Sequence, residues 1–259
     1  MQDEYKIFET HAHYDDCAFD TDREDLLGSF PENNICCVMN IGANMKTTYA
    51  SVDLTEKYPY IYAAIGVHPS DVTELDEECI NRLKELAANE KVKAIGEIGL
   101  DYHYDEPDRD TQIYWFKRQL ELAREACLPT VIHSRDAAKD TLDVMKELAA
   151  EEMGGVIHCF SYGCEMARQF LDMGYFLGIG GVLTFKNARK LKEVVEYAPL
   201  DRLVLETDAP YLSPEPFRGK RNTALNIPYV AEEIAHLKGI TTKEVYDATY
   251  ENALRLYRF

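Results

Sequence analysis

Short apolar runs recur along the whole chain, each bounded by polar or turn-forming residues. Lys6 to His11, Ile35 to Ile41, Ile61 to Gly66, Lys93 to Glu97, Thr130 to His133, Gly155 to Cys159, Tyr175 to Ile179 and Arg202 to Glu206 are rich in Ile, Val and Tyr. Their apolar positions are mostly continuous rather than alternating, as in strands buried on both faces of a parallel sheet. Between them the spacing changes to a helical period. Ile113, Phe116, Leu120, Ala123 and Cys127 predict a helix over 111–127. Similar spacing predicts helices over 74–89, 136–153, 165–173 and 188–197. Two more are expected between Ile227 and Phe259, broken near Lys238-Gly239, with Thr242 capping the second. Eight strands alternating with helices over 259 residues predict an α/β fold. The expected form is a single (β/α)8 TIM barrel spanning 1–259, with extra C-terminal helices. A doubly wound open sheet is the alternative. It explains less well why so many strands end in residues of one chemical kind.

Those strand ends carry the candidate chemistry. His11 and His13 stand two apart after Ile7-Phe8, so a strand turns both imidazoles to one face. Ile95-Gly96 runs into Glu97, Val131-Ile132 into His133, Val156-Ile157 into His158, and Val204-Leu205 into Glu206-Thr207-Asp208. In a barrel, the C-terminal strand ends converge on one face, where active sites are built. His11, His13, Glu97, His133, His158 and Asp208 are therefore candidate metal ligands. Imidazole and carboxylate without thiolate suit zinc, manganese, iron or magnesium. Six ligands exceed what one catalytic ion needs with a position left open for water. Two divalent ions sharing a bridging carboxylate accommodate them. Glu97 and Asp208 sit amid apolar neighbours, and a buried carboxylate needs a partner.

Composition narrows the surroundings of that chemistry. No apolar run approaches the roughly 18–20 residues that span a bilayer. The stretch Met1-Gln2-Asp3-Glu4-Tyr5-Lys6 shows no secretory pattern, so a cytoplasmic location is expected. Seven cysteines, an odd number with Cys36 and Cys37 adjacent and no Cys-x-x-Cys, fit a reducing compartment. Cys159 and Cys164 lack a second pair with which to hold zinc. The formal charge of −18 excludes a broad basic surface for nucleic acid. Phosphate contacts must then come from bound cations and a few local groups, such as the turn Arg218-Gly219-Lys220-Arg221. Tyr102 is a candidate for stacking on a base. His103 and His236 are assigned no function.

Taken together, certain segments match a known pattern. They are Thr10-His11-Ala12-His13, Gly66-Val67-His68-Pro69, Gly96-Glu97-Ile98-Gly99-Leu100-Asp101, Val131-Ile132-His133-Ser134-Arg135, Ile157-His158-Cys159-Phe160, Leu205-Glu206-Thr207-Asp208-Ala209-Pro210 and Arg218-Gly219-Lys220-Arg221-Asn222. With these, the chain resembles, nearly end to end, the TatD family of metal-dependent deoxyribonucleases, within the wider amidohydrolase-like barrels. The resemblance implies that His11, His13 and Asp208 hold one ion, His133 and His158 the other, with Glu97 bridging. Mg2+, Mn2+ and Zn2+ are the candidate ions. It implies Asp208 as general base, His68, Arg135 and Glu206 lining the pocket, and Arg218 or Asn222 meeting substrate phosphate. Glu9, Thr130 and Lys139 depart from the family's usual residues, which touches substrate more than metal. The implied activity is hydrolysis of DNA phosphodiester bonds at single-stranded or 3′ ends, by a monomer or weak oligomer. A D-aminoacyl-tRNA deacylase or another ester or amide hydrolase on the same barrel is the alternative. A non-catalytic metal-bound interaction protein is the alternative of another class.

Overall fold

Eight strands form in the computed structural model, which describes residues 5–259. Residues 1–4, on which the expected lack of a secretory leader partly rests, lie outside them. In chain order the strands are β1 (Ile7–Ala12), β2 (Ile35–Ile41), β3 (Ile61–Ile65), β4 (Val92–Asp101), β5 (Thr130–Arg135), β6 (Gly155–Ile157), β7 (Phe176–Ile179) and β8 (Leu203–Leu205). Each pairs in parallel with the next, in the order β1 to β8. The ring is drawn together between β8 and β1. Ala12 bridges Ala209, the Thr10 hydroxyl donates to Leu205 O at 2.9 Å, and His13 N donates to Ala209 O at 2.8 Å. This is the expected (β/α)8 barrel, not an open sheet.

The helices are α1 (Arg23–Gly28), α2 (Met45–Lys57), α3 (Glu77–Leu86), α4 (Arg109–Ala126), α5 (Ala138–Glu147), α6 (Cys164–Asp172), α7 (Arg189–Tyr197), α8 (Ile227–Lys238) and α9 (Thr242–Leu256). Periodicity gives no sign of α2, because its buried face is Thr48, Ser51, Val52, Leu54 and Thr55, more hydroxyl than hydrocarbon. The cap of α9 is Thr241 rather than Thr242. Its side chain accepts from Glu244 N, and Glu244 reaches back to Thr241 N, closing a capping box. Among the described residues no helix is long and apolar enough to cross a membrane.

Two large apolar cores, with a small cluster of Val67, Val72 and Leu75 beside them, fill the molecule. The outer one lies between the sheet and its helices. The inner one takes one side chain or more from every strand: Phe8, Met39, Ala64, Ala94, Val131, Val156, Phe176 and Val204. Ala253, Leu256 and Tyr257 of the C-terminal segment join it and seal the N-terminal end of the barrel. The Tyr257 hydroxyl reaches Thr10 O at 2.9 Å. Side chains alternate along a strand, so Val131 and Val156 in this core put His133 and His158 on the same inward side, one step nearer the open end.

Candidate metal centre

The closure of the ring assembles the first half of the site. Asp208 N donates to His11 O at 2.9 Å, alongside the His13–Ala209 bond, so both histidines and Asp208 share one corner. His11 Nε2 and His13 Nε2 stand 3.3 Å apart. Asp208 Oδ1 is 3.7 Å from the first and 3.4 Å from the second. β4 runs beyond its predicted end at Glu97 and pairs with β5 up to Arg135. Gly99, at φ +145°, permits that pairing; a Cβ there would collide with the His133 carbonyl.

Glu97 faces both halves of the site. Its Oε2 is 3.4 Å from His11 Nε2 and 3.8 Å from His13 Nε2. Its Oε1 is 2.8 Å from His133 Nδ1, 3.4 Å from His158 Nε2 and 3.7 Å from His68 Nε2. One carboxylate thus turns one oxygen to each histidine group.

Two of the ligand rings, His13 and His133, are hydrogen-bonded on their far side. His13 Nδ1 donates to Ile41 O at 2.9 Å, which turns Nε2 to the site, where it offers a lone pair once its proton is lost. His133 Nε2 lies 3.0 Å from Asp101 Oδ2, which leaves Nδ1 for Glu97 and an ion. His158 Nδ1 is 3.2 Å from Glu206 Oε1. His68 differs. Its Nδ1 accepts from Ser70 N at 3.1 Å, so its Nε2 carries the proton and serves as a donor rather than a ligand.

The residues fit divalent ions. Two imidazole nitrogens 3.3 Å apart cannot both point a proton at the other, whereas both lone pairs can face one cation. Ligand atoms of His11, His13 and Glu97 lie within 4.8 Å of one another, as do those of His11, His158 and Asp208. His11 Nδ1, His158 Nδ1 and Glu206 Oε2 are buried without a hydrogen-bond partner. The donors are nitrogen and oxygen alone, the set that suits Zn2+, Mn2+ or Mg2+.

Electrostatics follow from packing so many groups together. Burial pushes the Glu97 carboxyl up, but His158, His68 and a bond from His11 outweigh it and hold it well below the ordinary range. Asp208 is also held down, because His13, His158 and His11 overcome its burial. Burial lowers His13, yet the bond and charge of Asp208 carry it up to about 9. His158 reaches about 10, because Glu206 and Glu97 overcome its burial. His11 stacks on His158 at 3.5 Å between ring centroids and is pushed down, by burial first and by the His158 charge second. His68 is lowered by burial to about 4, with His133 adding to the fall.

The groups open into a cavity of about 820 Å³, lined by His13, His68, Glu97, His133, His158 and Asp208, with Lys46, Tyr104, Arg135 and Tyr211 also on its wall. Other expected contacts lie elsewhere. Glu206 is 1% exposed, packed over Gly178 behind His158, and accepts from Cys159 N at 2.7 Å. It holds the centre together and does not line the cavity. Asn222 is fully buried, donating to Thr207 O and accepting from Thr223 N and Asn226 Nδ2, so it cannot meet a substrate phosphate. Arg218 is exposed, stacked 4.3 Å over Phe185 and off the cavity wall. Arg221 is paired with Asp22. Tyr102 is packed under Arg109 and bonded to Asp140. Sequence reasoning missed Asp101, although it closes a quoted segment, and the rim residues Tyr104 and Tyr211, which sit in loops without a periodic signal, and Lys46, in the first turn of the unrecognised α2.

Barrel and centre together define a metal-dependent hydrolase. The chain belongs to the family described as TatD related DNase, which matches residues 8–258. It is similar to the uncharacterized metal-dependent hydrolase YabD of Bacillus subtilis, at 46% identity over 97% of this chain and 99% of that protein. It is 30% identical to the 3'-5' ssDNA/RNA exonuclease TatD of Erwinia tasmaniensis, over 97% of this chain and 99% of that one. The crystal structure of YJJV, a TatD homolog from Escherichia coli, superposes with a TM-score of 0.92 at 29% identity, over 98% of both chains.

Proposed function

We propose that this chain hydrolyses phosphodiester bonds of nucleic acid, DNA foremost, at single-stranded or 3′ ends, through a two-ion centre. The observation that carries the reading is the division of Glu97, with Oε2 toward His11 and His13 and Oε1 toward His133 and His158. The exonuclease among its relatives supports the choice of substrate. In this reading His11, His13 and Asp208 would hold one ion and His133 and His158 the other, with Glu97 facing both groups. Bound there, divalent ions would lower the pKa of a water and neutralise charge on phosphate oxygens. Asp208, kept ionised, accepts the proton as the water oxygen bonds to phosphorus. One P–O ester bond breaks, and the proton passes to the leaving alkoxide. His68 Nε2–H donates toward the phosphoryl group, and Arg135 faces it from the cavity wall. The same reading takes residues 1–259 as one hydrolase domain in a reducing, cytoplasmic compartment, where seven unpaired thiols persist.

The test compares chelator-sensitive cleavage of a labelled single strand with release of the amino acid from a D-aminoacyl-tRNA. Cleavage of the strand is expected. Deacylation alone would move the reaction to esters, and neither activity would leave a metal-bound interaction protein. Asp208→Asn should lose at least about a hundredfold in rate, the lower end for an acid–base group. Glu97→Ala should abolish paired ion binding, read by elemental analysis and calorimetry.

A further inference from the structure

Tyr104 and Tyr211 both line the metal cavity, yet 61% and 54% of their surfaces are open to solvent. Histidines aside, they are its aromatic lining residues. Their positions follow from the ring of strands. Tyr104 comes three residues after β4 and Tyr211 six after β8. Strands four apart in a closed ring of eight stand opposite, so the two rings flank the centre from opposite sides.

Each ring is held differently. Tyr211 N donates to Asp208 O at 2.8 Å, its hydroxyl meets Asp16 Oδ2 at 3.1 Å, and its centroid is 6.4 Å from that of His13. It is fixed beside the corner of His11, His13 and Asp208, with more than half of its surface open. Tyr104 stands edge-on to His103 at 4.8 Å, with the Arg135 guanidinium 5.8 Å from its centroid. That places a cation over one face of the ring, so a base would stack on the other. A chain of net charge −18 has little broad Coulombic grip on nucleic acid, and aromatic stacking needs none.

Resting on the nucleic-acid reading above, we propose that Tyr104 and Tyr211 are base-stacking platforms on opposite rims of the cavity, which make the site selective for unpaired bases. Tyr211 takes the base nearest the ligands and Tyr104 one further along the strand. A base inside a duplex has both faces covered and cannot use either platform, so single strands bind in preference.

The metal-loaded enzyme would be assayed on labelled oligothymidylate, on an abasic strand with the same number of phosphates, and on duplex. Parent, Tyr104→Ala, Tyr211→Ala and the two Tyr→Phe variants are compared, with metal content measured in each. The parent should show a KM on oligothymidylate at least about tenfold below that on the abasic strand. Each alanine variant should raise the oligothymidylate KM by roughly tenfold, drawing the ratio of the two substrates toward one. The phenylalanine variants keep the ring and should keep the ratio. A parent that cleaves both strands with equal KM, or alanine variants with the parent's ratio, would overturn the platforms and leave the nuclease reading standing. A parent that cleaves no strand while holding its metal would overturn the nuclease reading and the platforms with it.

Discussion

His13 and His158 reach about 9 and 10 while Glu97 and Asp208 are held below their ordinary values. Without an ion, His13 and His158 therefore hold their second proton among the carboxylates, and His133, bonded to Asp101 and Glu97, is raised too. The values of His13 and His158 stand above the unfolded value of about 6.5. Their contribution to metal-free stability is full below that pH and lost as pH rises through 9 and 10. An ion must displace those protons, so apparent affinity should fall as pH falls from about 9, by about tenfold per unit for each proton displaced. Calorimetry at pH 7 in buffers of different ionisation enthalpy should show a net release of protons on ion binding. No release would show both histidines already neutral. At this scale the six candidate ligands were legible, because strand-end position and residue type suffice to gather them. Asn222 and Glu206 were not, because a sequence does not show whether a polar side chain faces a cavity or the packing behind it. Both are turned inward, bonded to Thr207 O and Cys159 N.

Between elements, α4 fastens two strand ends through a pair of buried glutamines. Gln119 accepts from Val67 N at 2.8 Å and donates to Val67 O at 3.0 Å. Gln112 does the same for Asp101, at 2.9 Å in both bonds. The pair lies seven residues apart, close to two turns, so one helix face clamps the segments carrying His68 and Asp101. Gln119→Leu would leave the Val67 amide and carbonyl buried and unpaired, at roughly 1–3 kcal/mol each. Denaturant unfolding should show a loss in that range or above, with KM raised through the displaced His68. Unchanged stability would mean that water replaces the clamp. Strands and most helices were legible because their burial is apolar. α2 was hidden by its hydroxyl-rich buried face, and these glutamines by being polar on the core side of a helix.

Across the whole molecule, an excess of 18 negative charges leaves Arg135 and Lys46 as the cations on the cavity wall. Each neutralised phosphate contributes about 0.7 to the log–log salt slope on a single strand, so two contacts give a slope of about 1.4. KM measured across salt at fixed free metal should show it. Arg135→Ala should flatten the slope, while Arg218→Ala, whose guanidinium rests on Phe185, should leave it unchanged. A slope several times steeper would mean an extended phosphate track. The barrel itself was legible from the count and alternation of elements; the closure through Ala12 and Ala209 depends on long-range pairing that no local pattern contains.

The sealed floor has its own consequence. With Phe8, Met39, Phe176 and Tyr257 filling the interior, the barrel is a blind vessel. Water, ions, substrate and product share one doorway, and a polymer cannot thread through. Whatever is hydrolysed there must enter, and its products leave, by that same mouth, so product stands in the way of the next arrival. Inhibition by product, competitive with substrate, is the expected signature of such a one-mouthed vessel.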